Sequence, residues 1–382
     1  MSGFQRVNRA RLSPRMLENV CMVSKEACDI MTPMVRQFYY ALNGETSKLK
    51  DDKSVFTIAD GIVQHLLVEN LFGSHFDAVV GEEEDSNVNI TTRPYTVDDL
   101  VVPEEFNDSI DAVKAQISEL ASCLDTHSYK NISVFIDPID GTREFATNKG
   151  EQCSICIGFS QTAGDGATGA PVAGIVYRPI TEPATWAAGA KSEGVMMGHL
   201  SMGSAPNAPH KGGFLTSNGS ISKFIEHLMS GMEFARVPSG GAGNKMLMLL
   251  EGKGNCYIQD RGVSRWDTCG AEAVIEAYGG TLNKLSNFAL NNQELSGYTY
   301  RKSTANADFV PGLSNLTPYN AKNKSDVKKG ETVVASDINA VKPYSNLCGI
   351  IALDKSSSTP ENLAAIHSAI LKASDLSKPA YD

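Results

Sequence analysis

Apolar residues recur at helical spacing near the start of the chain, where Leu17, Val20, Ala27, Ile30, Met34, Val35 and Phe38 share one stripe. Ser13-Pro14 supplies a cap and a first-turn proline for this helix, and Asn43-Gly44 its end. A second helical run covers 58–72 and leads into Phe76-Asp77-Ala78-Val79-Val80, which predicts a short strand. Residues 87–130 are polar and contain proline, with one helix predicted over 107–123. Val134-Phe135-Ile136 is the next strand, and strands at 155–159 and 172–177 flank a Gly/Thr/Ala-rich loop, 161–170. Past Arg178-Pro179, where a domain boundary is expected, short strands at 214–216 and 254–258 alternate with helices at 220–229 and 244–251. The stretch 291–330, rich in Asn, Ser, Lys and Gly, reads as a surface insertion. The pattern gives two halves, an α+β unit over 1–178 and an α/β unit over 179–382, without an internal repeat.

At 382 residues and 42% hydrophobic content, the chain can bury one large core or two abutting ones. A net charge of −10 with no block of Lys/Arg argues against a nucleic-acid polymer as partner. Small phosphorylated ligands remain compatible, because bound metals reverse the field inside a cleft. Eight scattered cysteines fit a reducing compartment, and Cys153 and Cys156, three apart on a strand, point to opposite faces as core residues do. Arg6, Arg9, Arg11 and Arg15 lie too close to the first helix to be a removable address, and no apolar run is long enough to span a bilayer. A cytoplasmic protein is expected, with Asn89-Ile90-Thr91 a chance glycosylation match.

Three acidic motifs change the picture. Asp137-Pro138-Ile139-Asp140-Gly141-Thr142 ends the 134–136 strand, and its two carboxylates and the Ile139 carbonyl can face one small volume. Such hard oxygen donors suit Mg²⁺. Gly141 allows close backbone approach, and Thr142 can open a helix whose free amides attract a phosphate oxygen. Alone, the motif is more often an acidic turn. Glu82 and Glu83, in Gly81-Glu82-Glu83-Glu84-Asp85, follow the 76–80 strand, where acid runs are usually loop. Asp267, in Arg265-Trp266-Asp267-Thr268-Cys269, precedes a helical run and would serve equally as its N-cap. Together Glu82, Asp137, Asp140 and Asp267 suffice for two or three Mg²⁺ ions completed by water and a substrate phosphate.

These motifs, preceded by Asp52-Lys53-Ser54-Val55-Phe56-Thr57-Ile58-Ala59-Asp60, resemble in order and spacing the lithium-sensitive, Mg²⁺-dependent phosphatases of the inositol monophosphatase superfamily. The resemblance runs to about Leu285 and resumes near Asn346–Ala352 and the last helix. It implies a layered αβαβα sandwich of the inositol monophosphatase and sugar phosphatase type, with the site between the halves. It also implies metals on Glu82, Glu83, Asp137, Asp140, Asp267 and the Ile139 carbonyl, and inhibition by Li⁺. Asp52, directly or through Thr142, would orient and deprotonate the attacking water, with Glu82 also in the catalytic group. Thr57 and Asp60 either support the metals from behind or cap a helix.

For substrate, Gly241 and Lys245 in Ser239-Gly240-Gly241-Ala242-Gly243-Asn244-Lys245, with Gly141, Thr142 and Arg265, look most like the bisphosphate nucleotidases, which remove the 3′-phosphate of 3′-phosphoadenosine 5′-phosphate. Lys245 would grip the second phosphate. An inositol polyphosphate 1-phosphatase is the alternative, and a non-catalytic sensor of phosphorylated ligands the third reading. Phe135-Ile136, Val55-Phe56 and the 291–330 stretch depart from the family pattern.

Overall fold

The computed structural model describes residues 15–50, 55–125, 127–161, 169–201, 212–260, 263–290, 295, 297–300, 344, 349–377 and 379. The first helical stripe forms α1 (Met16–Tyr40), with Leu17, Val20, Ala27, Met34, Val35 and Phe38 buried. A hairpin of β1 (Ser47–Leu49) and β2 (Val55–Thr57) enters α2 (Ile58–His65), which continues as a π-helical stretch, Leu66–Phe72. β3 (Ala78–Gly81) follows, then a small sheet of β4 (Val88–Asn89), β5 (Thr96–Val97) and β6 (Leu100–Val101), and α3 (Asn107–Ala121). β7 (Ile132–Asp140), the single-turn α4 (Thr142–Phe145), β8 (Ser154–Gln161), β9 (Pro171–Arg178), β10 (Thr185–Ala190) and β11 (Val195–His199) come next. They build a six-stranded sheet in the order β11-β10-β9-β8-β7-β3, antiparallel except for the parallel β3–β7 pair.

The rest of the chain contributes β12 (Gly213–Thr216), α5 (Lys223–Met232), β13 (Ala235–Pro238), α6 (Ala242–Leu250), β14 (Cys256–Gln259), α7 (Arg265–Ala277), β15 (Thr281–Lys284), α8 (Leu285–Leu290), β16 (Ile350–Leu353) and α9 (Pro360–Leu376). Its mixed five-stranded sheet runs β13-β12-β14-β16-β15.

Strand alternation sorts the apolar side chains into three cores. Val134 and Ile136 of β7, Ile155 and Ile157 of β8, and Ile175 of β9 join α1, α2 and α3 in the first. Phe135, Cys156 and Val176, one residue out of step, meet α6, α7 and the inner face of the second sheet, with Leu215, Tyr257, Leu282 and Ala352. Phe214, Cys256, Ile258, Ile351 and Leu353 face α5, α8 and α9. Reading across gives helix, sheet, helix, sheet, helix, the five layers expected. Cys153 and Cys156 fall in different cores, as two-residue alternation requires.

Helix α7 lies directly on the six-stranded sheet because glycines meet there. A Cβ on Gly174 would come 2.5 Å from the Cα of Gly270, and one on Gly270 would come 2.6 Å from the Ile157 carbonyl oxygen.

Two expectations change. The boundary near Arg178 falls inside the six-stranded sheet, since β10 and β11 pair on beyond β9; the change of sheet comes after Leu200. Thr185–Ala190 is a strand that the sequence pattern does not mark, because its small residues, Ala-Ala-Gly-Ala, give little hydrophobic contrast. The stretch 291–330 is not all surface either: Tyr298 and Tyr300 are buried in the middle core.

Candidate active site

β7 carries the first two carboxylates. Asp137 has the parity of Phe135, so it points toward α7, whereas Asp140, three residues on, would point away in a regular strand. A bulge reverses this: Asp137 is opposite Cys156 and Asp140 opposite Ser154, three residues against two. Asp267 comes from the other half, at the third residue of α7. There it reaches back to the Ser264 amide while Ser264 caps the helix, so Asp267 belongs to a capping box and is not itself the N-cap. Ligand oxygens of Asp137, Asp140 and Asp267 all lie within 4.8 Å of one another.

Asp140 is further fixed by the start of α6. Its Oδ1 accepts from the Ala242 amide at 2.8 Å, and its Oδ2 from the Gly243 amide at 2.7 Å and the Ser154 hydroxyl at 2.9 Å. A carboxylate offers about four lone-pair sites, so these three bonds leave room for a cation. Gly241 makes the approach possible: its φ is +61°, and a Cβ there would sit 2.8 Å from Asp140 Oδ2. Gly141, also left-handed at φ +92°, caps α4.

Behind the carboxylates, Thr57 and Asp60 form the capping box of α2. Asp60, fully buried, accepts from the Thr57 hydroxyl at 2.5 Å and from the Thr142 hydroxyl at 3.1 Å. The Thr142 hydroxyl also lies 3.0 Å from the Ile139 carbonyl, the group expected to bind metal. Thr142 thus stands in a hydrogen-bonded chain with Asp60; Asp52, its expected partner, lies outside the described residues.

Glu82 is opposite Asp137 in register, since β3 and β7 run parallel with Gly81 beside Ile136. Its carboxylate is not in the converging set, and the Lys50 ammonium lies 3.7 Å from it. The buried Glu83 is hydrogen-bonded to Lys50, and its amide donates to Gln64 Oε1 at 2.9 Å.

The other expected substrate groups are placed inward. Lys245 is 3% exposed; its ammonium donates to the Gly241 carbonyl at 2.6 Å and lies 4.9 Å from the centre of the Tyr257 ring. The Ala242 and Gly243 amides, natural donors to an anion at this turn, are used by Asp140. Arg265 is buried, with its Nε on the Thr299 carbonyl at 2.7 Å. Ser154, Gln64 and the α6 amides had no local signal in the sequence, because each contact joins residues at least 14 positions apart. A separate cavity of about 390 Å³ is lined by residues that include Arg178, His199, Ser239, Asn244 and Lys253, with none of these carboxylates on its wall.

The acids are short of positive charge. Burial, then Glu82, Asp267 and Asp140, pushes Asp137 well above the ordinary carboxylate range. Burial raises Asp267 to about 7, helped by Asp140 and Glu82, and raises Asp60 to about 6 and Glu83 to about 8. Asp140 is raised by burial, opposed by Lys245 and the helix amides. Crowded oxygen donors of this kind fit a hard divalent cation, whose charge would offset both the cost of burying ionised carboxylates and their mutual repulsion.

A family model described as the inositol monophosphatase family matches residues 16–305. Among curated proteins, putative inositol monophosphatase 3 of Drosophila melanogaster is 24% identical over 272 residues, 69% of this chain and 68% of that protein. The 3′(2′),5′-bisphosphate nucleotidase 1 of Mus musculus is 28% identical over 209 residues, 52% of this chain; the match spans 63% of the nucleotidase, less than two thirds of its length. The fold matches that of an IMPase/NADP phosphatase solved with Mg²⁺ and phosphate, with a TM-score of 0.52 at 12% identity, covering 94% of this chain and 96% of that one. No helix among the described residues is long and apolar enough to cross a membrane. With three-quarters of its length matched and its carboxylates gathered between the two sheets, the chain belongs to the inositol monophosphatase family of phosphatases.

Proposed function

We propose that the protein is a Mg²⁺-dependent phosphomonoesterase that converts 3′-phosphoadenosine 5′-phosphate to AMP and phosphate, with side activity on inositol 1,4-bisphosphate. The observation that carries the chemistry is the convergence of Asp137, Asp140 and Asp267 beside the Asp60–Thr142 pair. Asp137, Asp140 and Asp267 would hold the metal, with Glu82 and Glu83 next to them. Bound there, Mg²⁺ supplies Lewis acidity toward water and phosphate oxygens. Thr142, donating to Asp60, keeps lone pairs free to orient a water and accept its proton while passing its own to Asp60. Asp140, pinned by the α6 amides, holds its oxygens in place without reorganisation as charge builds on the phosphate.

The nucleotide reading is supported by the nucleotidase relatives. Because Lys245 is enclosed, we assign the second phosphate to Arg143, exposed on the turn that starts with Thr142, its guanidinium beside Gly219. An inositol polyphosphate 1-phosphatase is the second reading, and the longer match, to the putative inositol monophosphatase 3 of Drosophila, supports an inositol phosphate as substrate class. Phosphate release with Mg²⁺ tests both, on 3′-phosphoadenosine 5′-phosphate, inositol 1,4-bisphosphate, inositol 1-phosphate, fructose 1,6-bisphosphate and NADP. Preference for an inositol phosphate would displace the nucleotide reading, and no turnover on any would leave only ligand binding.

A further inference from the structure

Two pieces of chain that bracket residues 301–343 close on the back of the carboxylate site. The Tyr300 and Tyr344 rings each meet Phe135 edge-on, with centroids 5.5 Å away in both cases, and Phe135 precedes Asp137 by two residues on the same face of β7. The same two pieces hold the first turn of α7. The Arg265 amide donates to the Tyr344 carbonyl at 2.9 Å and its Nε to the Thr299 carbonyl at 2.7 Å. The Tyr300 hydroxyl is hydrogen-bonded to Glu272 and lies 3.2 Å from Thr268 Oγ1. Thr268 Oγ1 in turn is 3.3 Å from the Ser264 and Arg265 carbonyls. Asp267 sits in the middle of this turn. Tyr300 and Thr268 are buried, at 1% and 0% exposure, so their polar atoms must be paired within the protein.

We propose that Tyr300 is a positioning residue for Asp267: its ring locks onto the strand that carries Asp137, and its hydroxyl locks the helical turn that carries Asp267. One side chain thereby sets the separation of two carboxylates drawn from different halves of the molecule. The described start of the stretch that looks like an appended insertion, at Thr299 and Tyr300, is a brace for the metal ligands, joined by Tyr344 from beyond that stretch. The inference rests on the metal-binding reading above.

Tyr300→Phe keeps the ring on Phe135 and removes only the hydroxyl. Mg²⁺ binding is measured by titration calorimetry without substrate, alongside melting in EDTA. The expected result is a Kd for Mg²⁺ weakened about 3- to 10-fold, the range for losing one buried hydrogen bond. Tyr298→Phe is the control. It removes a buried bond from the same segment, to the Gly349 carbonyl, away from α7, and should lower the melting temperature without moving the Kd. Thr268→Val, which removes the Thr268 end of the link and leaves the bond to Glu272, should also weaken the Kd by more than twofold and carries the test should the tyrosine variant not fold. A Kd within twofold of wild type for Tyr300→Phe or Thr268→Val, with only the melting temperature lowered, would reduce Tyr300 to a core residue and overturn the inference. Wild-type protein that takes up no Mg²⁺ would instead overturn the metal reading beneath it.

Discussion

Lys245 separates two accounts of the α6 turn. If its ammonium touches the second phosphate, Lys245→Met should harm only substrates that carry one. The geometry favours the other account: an enclosed ammonium tied to the Gly241 carbonyl at 2.6 Å, helping to hold the turn whose amides fix Asp140. Burial lowers its pKa to about 8, with Asp140, Glu144 and Asp267 opposing, so at neutral pH it remains mostly charged. A charge-assisted bond is worth about 1.5–3 kcal/mol, and if all of it reaches the transition state, kcat/KM falls about 10- to 150-fold. The loss should be the same, within about threefold, on 3′-phosphoadenosine 5′-phosphate and on adenosine 3′-monophosphate, because Asp140 serves both. Arg143→Ala should show the opposite pattern, a loss confined to the bisphosphate. The assay is phosphate release at saturating Mg²⁺ on both nucleotides. A loss tenfold greater on the bisphosphate for Lys245→Met would refute the reasoning and return Lys245 to the substrate.

Asp137→Asn should leave less than about a tenth of wild-type turnover with an unchanged far-UV spectrum, since it removes a ligand charge and no packing. Metal-free protein should lose thermal stability as pH rises from about 4.5 to 8, because raised carboxyls hold protons in the fold that the unfolded chain has released; melting in EDTA checks this. Burial raises Glu272 to about 8, so Glu272→Gln should flatten the upper part of that decline, and no flattening would show that Glu272 is ionised in the fold. Gly270→Ala should cost about 1–3 kcal/mol in denaturant titrations and weaken Mg²⁺ binding, as the new methyl lifts α7 and Asp267 off the sheet. Li⁺ at tens of millimolar, on the order of weak cation sites, should inhibit in an uncompetitive or mixed manner, seen in initial-rate plots.

The layered fold was legible because apolar alternation in 134–136, 155–159 and 172–177 and the helical stripe of α1 report burial directly. The three converging carboxylates were legible for a similar reason, each sitting at a strand end or helix start that the local pattern marks. Their supports were not. Nothing near Asp140 announces that the α6 amides, a hundred positions later, will bind it, or that Tyr300 will stand behind Thr268. Lys245 takes on a second reading for the opposite reason: a lysine at a glycine-rich helix start suggests an anion outside, whereas in the fold Asp140 occupies the turn's amides from within. Asp267 reads as a cap because Asp favours helix starts, whereas the N-cap lies three residues earlier, at Ser264.

The bond from Asp140 to α6 also sets an order of events. A chain emerging from the ribosome can complete all six strands of its first sheet by His199, yet Asp140 then lacks the 242 and 243 amides, and Asp267 does not yet exist outside the tunnel. Two acids aimed at an unfinished interface would repel each other and attract water, so the half-made site would stay open and hydrated. If the three carboxylates hold Mg²⁺ as proposed, capture of the ion has to wait until α7 has been made, because a chain cut before Asp267 lacks one of the three converging side chains.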